Sequence, residues 1–232
     1  MNILGIIPAR GGSKGIPQKN IQPFAGKCLI DWTIEVASKS NLSDIIVTSD
    51  CRITLGHAAD MGIKTLLRPK ALSTDKAEML PVIRHAIEKY EEKYAILPNA
   101  ICLLQPTSPL RSVKTINDCI EIIKGGAKSV TTVHEGIHPK KSYFMDGNPV
   151  GNFGKGAYDR HIDQVLTRSG SIFLTKTEYI YGHNLLIDPV LYKTDKIEAL
   201  DLNDYEDWFI GEAIVEKIHK DGRLRAFPTS KG

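Results

Sequence analysis

The sequence predicts an α/β protein with a three-layer, Rossmann-like, mostly parallel sheet, folded as a single domain over residues 1–232. Three observations predict it. Short aliphatic runs at 2–7, 45–48, 64–67 and 100–104 alternate with stretches whose apolar residues recur at helical spacing, a pattern that winds a parallel sheet through right-handed crossovers. Polar or turn-forming residues close each run, so the crossovers would gather Arg10, Asp50, Arg68, Gln105 and Arg111 at one edge. A chain of 232 residues also suffices to bury a full core.

The first run, 2–7, is bounded by Pro8, as suits a strand buried on both faces. It opens directly into IIPARGGSKGIPQKN at 6–20. Gly11, Gly12 and Gly15 are expected to supply backbone angles closed to other residues and to let peptide N–H groups approach an anion, while Arg10, Lys14 and Lys19 bring fixed charge to the same segment. A polyphosphate is the expected guest; a tight turn with solvated lysines is the alternative the residues leave open. The ATPase phosphate loop is excluded because Lys14 precedes Gly15 and Ile16 rather than a Ser or Thr. The dinucleotide fingerprint fails too, because Pro17 to Asn20 keep the chain irregular where a helix should begin.

After a turn at 23–27, Leu29, Ile30, Ile34 and Ala37 mark a helix that ends near Asn41. The strand at 45–48 is followed by a helix over about 52–61 with Gly62 as its stop, then by the strand at 64–67. Past Arg68-Pro69, the stretch Ser73, Thr74 and Asp75 is expected to cap a helix carrying Met79, Ile83, Ala86, Ile87 and Tyr90, with Pro81 tolerable in its first turns. The run at 100–104 is the most apolar and should lie centrally; a helix with Val113, Ile116, Ile120 and Ile123 follows it and stops at Gly125-Gly126. A strand at 129–133 comes next.

From 135 to about 167 the chain is polar and glycine-rich, with a strand near 143–145 as its one regular feature, and reads as an excursion: a lid, a dimerisation arm or a disordered loop. Strand character returns at 171–174 and 197–202. A last helix, 204–219, would bury Phe209, Ala213 and Ile218.

A net charge of +3 is too small to argue for nucleic acid. No apolar run is long enough to span a bilayer, and the first five residues lack the pattern of a secretory signal, which leads to the expectation of a soluble, cytoplasmic protein. Cys28, Cys51, Cys102 and Cys119 are dispersed and read as buried free thiols; the histidines show no zinc-protease spacing.

The run ARGGSKGIPQKN at 9–20 resembles the signature of the cytidylyltransferases that activate sialic and related nonulosonic acids as CMP esters. LLRP at 66–69, LLQPTSPLR at 103–111, HPKK at 138–141, SGSIFL at 169–174 and LDLNDYEDW at 200–208 follow in that family's order. The resemblance implies a nucleotide-diphospho-sugar transferase fold with a dimerisation arm, a homodimer, CTP and a nonulosonic acid as substrates, and magnesium as cofactor with manganese as a substitute. Ala9, Arg10, Gly11, Gly12, Ser13, Lys14 and Lys19 would engage the phosphates, and Asn20 and Arg68 the cytidine. Gln105, Lys141 and Arg168 would hold the sugar acid, and Asp201 with Asn203 the metal, so that Arg10, Lys19 and Asp201 carry catalysis. Two departures stand out. Asn203 replaces a second Asp common in relatives, and Arg168 is displaced by one residue. Thr107 stands where the related ketodeoxyoctonate enzymes carry an acidic residue, which favours a nonulosonate. A sugar-phosphate nucleotidyltransferase and a non-catalytic nucleotide sensor are the competing functions. His134, His138 and His161 are assigned no role, and helix capping is the competing explanation of Asp201 and Asn203.

Overall fold

The computed structural model describes residues 1–13, 15–136, 165–182 and 184–221; Lys14, Lys141, His138, His161 and nearly all of the 135–167 excursion lie outside them. Along β1 (Ile3–Pro8), Ile3 and Ile7 pack into the core on one face of a sheet and Leu4 and Ile6 into the core on the other. That period of two is what burial on both faces requires.

The chain continues through a hairpin of β2 (Pro23–Phe24) and β3 (Lys27–Cys28), α1 (Leu29–Ser38), β4 (Asp44–Ser49), α2 (Arg52–Asp60) and β5 (Lys64–Leu67). Then come α3 (Met79–Tyr94), β6 (Ala100–Leu103), α4 (Val113–Lys124), β7 (Ser129–Glu135), β8 (Leu166–Lys176), α5 (Thr177–Ile180), β9 (Val190–Lys193) and α6 (Tyr205–Lys220). The main sheet has the order β5-β4-β1-β6-β8-β7-β9. β6 is central, as the sequence predicts. Within that sheet, among the described residues, the pairings of β8 with β6 and β7 are antiparallel and the others parallel. Residues of α1, α2 and α4 fill the core on one face and those of α3 and α5 the core on the other, giving three layers.

A third apolar cluster closes the carboxyl edge. Phe24 lies edge-on to Trp32 at 6.0 Å and to Trp208 at 5.1 Å, the Trp32 indole N–H donates to the Phe24 carbonyl at 3.0 Å, and Ile16 and Leu202 pack beside them. These contacts dock α6 beneath the glycine-rich loop. Edge-to-face aromatic pairs contribute about 0.5–1.5 kcal/mol each beyond the area they bury.

Four expectations are corrected. The 197–202 segment is not a strand, because the Asp195 side chain accepts the N–H groups of Ile197 and Glu198 and coils it; the strand in this part of the chain is β9. Helix α6 buries Trp208, Gly211, Val215 and Ile218 and leaves Phe209, 66% exposed, and Ala213 in solvent. Its rotation is set by Gly211, where a Cβ would lie 2.9 Å from the Phe24 ring. Helix α3 starts after Glu78 without a side-chain cap, and Ser73 instead closes a turn by donating to the Pro69 carbonyl. All four cysteines are free, but Cys28 and Cys51 are only half-buried.

Candidate active site

From β1 the sheet grows in both directions, through β4 to β5 on one side and through β6 on the other. A crevice forms at the carboxyl ends of strands where the winding reverses, and open α/β sheets bind ligands there. A cavity of about 200 Å³ occupies that point. Arg10, Gly12, Ser13, Lys19 and Asn20 reach it from the loop after β1, Arg68 from the end of β5, and Gln105 and Thr107 from the end of β6. A larger concavity, about 740 Å³, lies at the opposite end of the strands, beside Met1 and Asn99.

The glycine-rich loop is held by its own backbone groups. Asp50 accepts the Gly11 N–H at 2.9 Å, Asn20 donates to the Arg10 carbonyl at 2.9 Å, and Ala9 is buried in the core with its N–H on Thr48. Ala9 therefore positions the loop and does not line the cavity. The expectation of special glycine angles is corrected. The left-handed conformation falls on Gln18, with φ 50°, whereas Gly11, Gly12 and Gly15 have no positive φ. Two of the three glycines are needed for space: a Cβ on Gly11 would lie 2.8 Å from Cys51 Cβ, and one on Gly15 would lie 2.3 Å from the Asn203 carbonyl oxygen.

The three cations described here differ in their partners. Arg10 sits at the rim and pairs with Asp75 at 2.8 Å. Lys19 is 9% exposed and donates to the Leu202 carbonyl, while the Leu202 N–H donates to Thr107, so the loops after β1 and β6 are tied to the segment before α6. Burial pulls the Lys19 ammonium below the usual lysine range, opposed by Asp201 and Asp207. Arg68 is 4% exposed, yet its Nε and Nη2 atoms have no hydrogen-bond partner among the described residues. Burial lowers its pKa, with Asp50 opposing. Buried guanidinium nitrogens without hydrogen-bond partners are costly, and on a cavity wall they mark where a polar ligand belongs.

Asp201 and Asn203 lie in irregular chain rather than on one side of a strand. Capping of α6 belongs to Asp204, whose carboxylate accepts the N–H groups of Glu206 and Asp207 at 2.9 and 3.0 Å. Asp201 is thus released from that role, and its Oδ1 is buried without a hydrogen-bond partner among the described residues. Asn203 donates its amide Nδ2 to Asp201 Oδ2 at 3.3 Å; with that amide turned over, its oxygen would join Asp201 Oδ1 in the kind of hard oxygen set that a magnesium-like cation takes.

A second chamber of about 370 Å³ shares Met79 and Gln105 with the first. Arg168 stands at its edge, 5.5 Å over the Phe173 ring. Arg168 lies beside a register shift: Thr131 pairs with Phe173 but Val133 with Arg168, so two steps along β7 match five along β8. The bulge brings two residues of opposite parity to one face. The neighbouring Ser169 is buried and donates to Thr132.

Arg111 does not join the site. It is fully buried and donates to the Gln105 carbonyl and to Thr33 Oγ1, a brace under the β6 loop; burial lowers it to about 10, so it stays charged near neutrality. The sequence reading missed Asp50 as a loop anchor, Met79 as a shared wall, and Asn184 to Leu186 on the second chamber. The last three carry no periodicity that could have flagged them.

Comparisons with known proteins give the family and the fold. A family model described as cytidylyltransferase matches residues 4–183. The chain is 30% identical over 227 residues to the CMP-N,N'-diacetyllegionaminic acid synthase of Legionella pneumophila, covering 93% of this chain and 97% of that one. It is 30% identical over 233 residues to the N-acylneuraminate cytidylyltransferase of Escherichia coli, covering 94% of this chain but 53% of that protein. The fold is similar to that of a CMP:2-keto-3-deoxy-manno-octonic acid synthetase solved with CTP, with a TM-score of 0.72, 13% identity, and coverage of 94% of this chain and 99% of that one.

Proposed function

The chain belongs to the cytidylyltransferase family, and from that premise we propose that it joins a nonulosonic acid to CMP. The anomeric hydroxyl attacks the α-phosphorus of CTP in line and pyrophosphate leaves, a reaction in which the protein's work is positioning and charge neutralisation. The observation that carries this reading is the buried Arg68 guanidinium, two of whose nitrogens have no hydrogen-bond partner among the described residues, on a cation-walled cavity that adjoins a second chamber through Gln105. One cavity suits the nucleotide and the other its acceptor. The names of the relatives supply the acceptor class.

In this proposal the Gly12 and Ser13 backbone, Arg10 and Lys19 hold the triphosphate, together with Lys14, while Gly11 keeps its N–H on Asp50 to anchor the loop and Asn20 and Arg68 hold the cytidine. Arg10 exchanges Asp75 for phosphate. Gln105 hydrogen-bonds the acceptor between the two chambers, and Arg168, with Lys141, takes its carboxylate. Asp201 and Asn203 would hold magnesium, or manganese in its place, which when bound offsets the charge of the triphosphate. Lys19 lies between these groups and contributes a fixed positive charge where negative charge accumulates on the leaving group. The working form is proposed to be a homodimer.

A sensor without turnover is the second reading, favoured by Asn203 in place of a carboxylate. Pyrophosphate release, measured with each of the four common nucleoside triphosphates and magnesium against sialic, legionaminic and pseudaminic acids, ketodeoxyoctonate and sugar 1-phosphates, separates the readings. Release with CTP and a nonulosonic acid alone is the expected result. Release with a sugar 1-phosphate would move the protein to the other nucleotidyltransferase class, and CTP binding with no release would make it a sensor.

A further inference from the structure

The second chamber has an uneven chemistry that bears on which acceptor it takes. Its polar groups, Gln105, Arg168 and Asn184, are outnumbered by the apolar side chains of Met79, Leu103, Phe173, Leu185 and Leu186. These belong to, or pack against, the apolar core on the α3 face of the sheet. The leucine wall is also fixed in place. Thr175 donates to the Leu185 carbonyl at 2.6 Å, and Ser129 exchanges two hydrogen bonds with Ile187, donating to its carbonyl at 2.8 Å and accepting its N–H at 3.0 Å. These bonds hang the 185–187 segment from β7 and β8, so the wall is preformed and need not assemble around a ligand.

A nine-carbon acid with its reacting centre near Gln105 and its carboxylate on Arg168 sends its far end toward this wall. Apart from Asn184 the wall offers a polyhydroxylated tail no polar side chain among the described residues, whereas methyl groups would bury apolar surface against Leu185 and Leu186. We infer that the chamber selects acceptors whose far end is apolar, a terminal methyl and the methyls of acylamino groups, with Leu185 and Leu186 as the residues that set the preference. The inference rests on the proposed reaction and names the acceptor within its class. Its size is bounded by physics: an apolar pocket discriminates against one added hydroxyl by about tenfold to a hundredfold, not more.

The test uses two nine-carbon 2-keto acids with the same acylamino groups, differing only in a methyl or a hydroxymethyl at the last carbon. With the intact protein, CTP and magnesium, kcat/KM for the methyl acceptor should exceed that for the hydroxymethyl acceptor by about tenfold or more. In Leu185→Asn and Leu186→Asn the ratio should fall toward unity with KM for CTP unchanged. A wild-type ratio at or below one overturns the inference while leaving the reaction intact, as does a ratio unmoved in both variants. No turnover of either acid, nor of any other nonulosonic acid, overturns the reaction reading itself. Should a variant fail to fold, the wild-type ratio still decides.

Discussion

The Gln105 carboxamide leaves no room for a side chain on Gly170: a Cβ there would lie 2.9 Å from Oε1 and 3.7 Å from the Asp201 carboxyl carbon. The end of β6, the bulged part of β8 and the segment before α6 thus meet at one point. Gly170→Ala should displace Gln105 and raise KM for the sugar acid by about tenfold, the cost of one misplaced hydrogen bond to a polar group. CTP affinity should be nearly unchanged. Steady-state kinetics with each substrate varied in turn checks this; equal effects on both substrates would mean that the site as a whole had shifted.

Arg68 should trade stability for binding. Its guanidinium is buried with two unpartnered nitrogens, so Arg68→Met should stabilise the ligand-free protein by about 1 kcal/mol, near 2–4 °C in Tm for a chain of this size. The same change should weaken CTP by at least about tenfold through the lost charge-assisted hydrogen bonds. Thermal unfolding with and without CTP measures both. A fall in Tm of the ligand-free variant would show Arg68 to be a structural brace.

Lys19 sets an alkaline limit. Its folded pKa lies below 10.5 because burial disfavours the ammonium, so KM for CTP should climb at a pH below the ordinary lysine range, and Lys19→Arg should flatten that limb. The sign for stability is opposite. Between the lowered value and 10.5 the unfolded chain holds a proton the folded one has released, so the ligand-free protein should gain stability with rising pH from this group. A wild-type alkaline limb that persists in the arginine variant would remove Lys19 from the phosphate site.

Asp201 and Asp204 should separate cleanly. Asp204 caps α6, so Asp204→Ala should cost about 1 kcal/mol of stability with kcat retained. Asp201→Ala should not lower stability by more than about 0.5 kcal/mol, because it removes a carboxylate whose Oδ1 is buried without a hydrogen-bond partner among the described residues, and should abolish magnesium-dependent turnover. The reverse pattern in unfolding and kinetic assays would return Asp201 to a capping role.

The first half of the fold was legible because its strands are buried on both faces and their apolar runs admit little else. Arg68 and Gln105 followed from strand ends alone. The reversal of β8 was not legible, since a strand carries the same alternation whichever way it runs. Nor was its bulge, which put Arg168 over Phe173 from positions five apart. Apolar residues at 197, 200 and 202 imitated a strand, but the Asp195 carboxylate captured the local N–H groups first. The glycines were read as sources of unusual angles, whereas the need at Gly11 and Gly15 is close contact with Cys51 and Asn203, residues far away in sequence. Sequence spacing cannot show such a contact.

Fate of the anomeric oxygen gives the most direct measurement. A nonulosonic acid labelled with oxygen-18 in its anomeric hydroxyl is turned over with CTP and magnesium, and both products are weighed by mass spectrometry. Label retained in the bridge between sugar and phosphorus of a CMP ester, with unlabelled pyrophosphate, is the predicted result. Label in the pyrophosphate, or no CMP ester at all, would contradict attack by the sugar hydroxyl on the α-phosphorus.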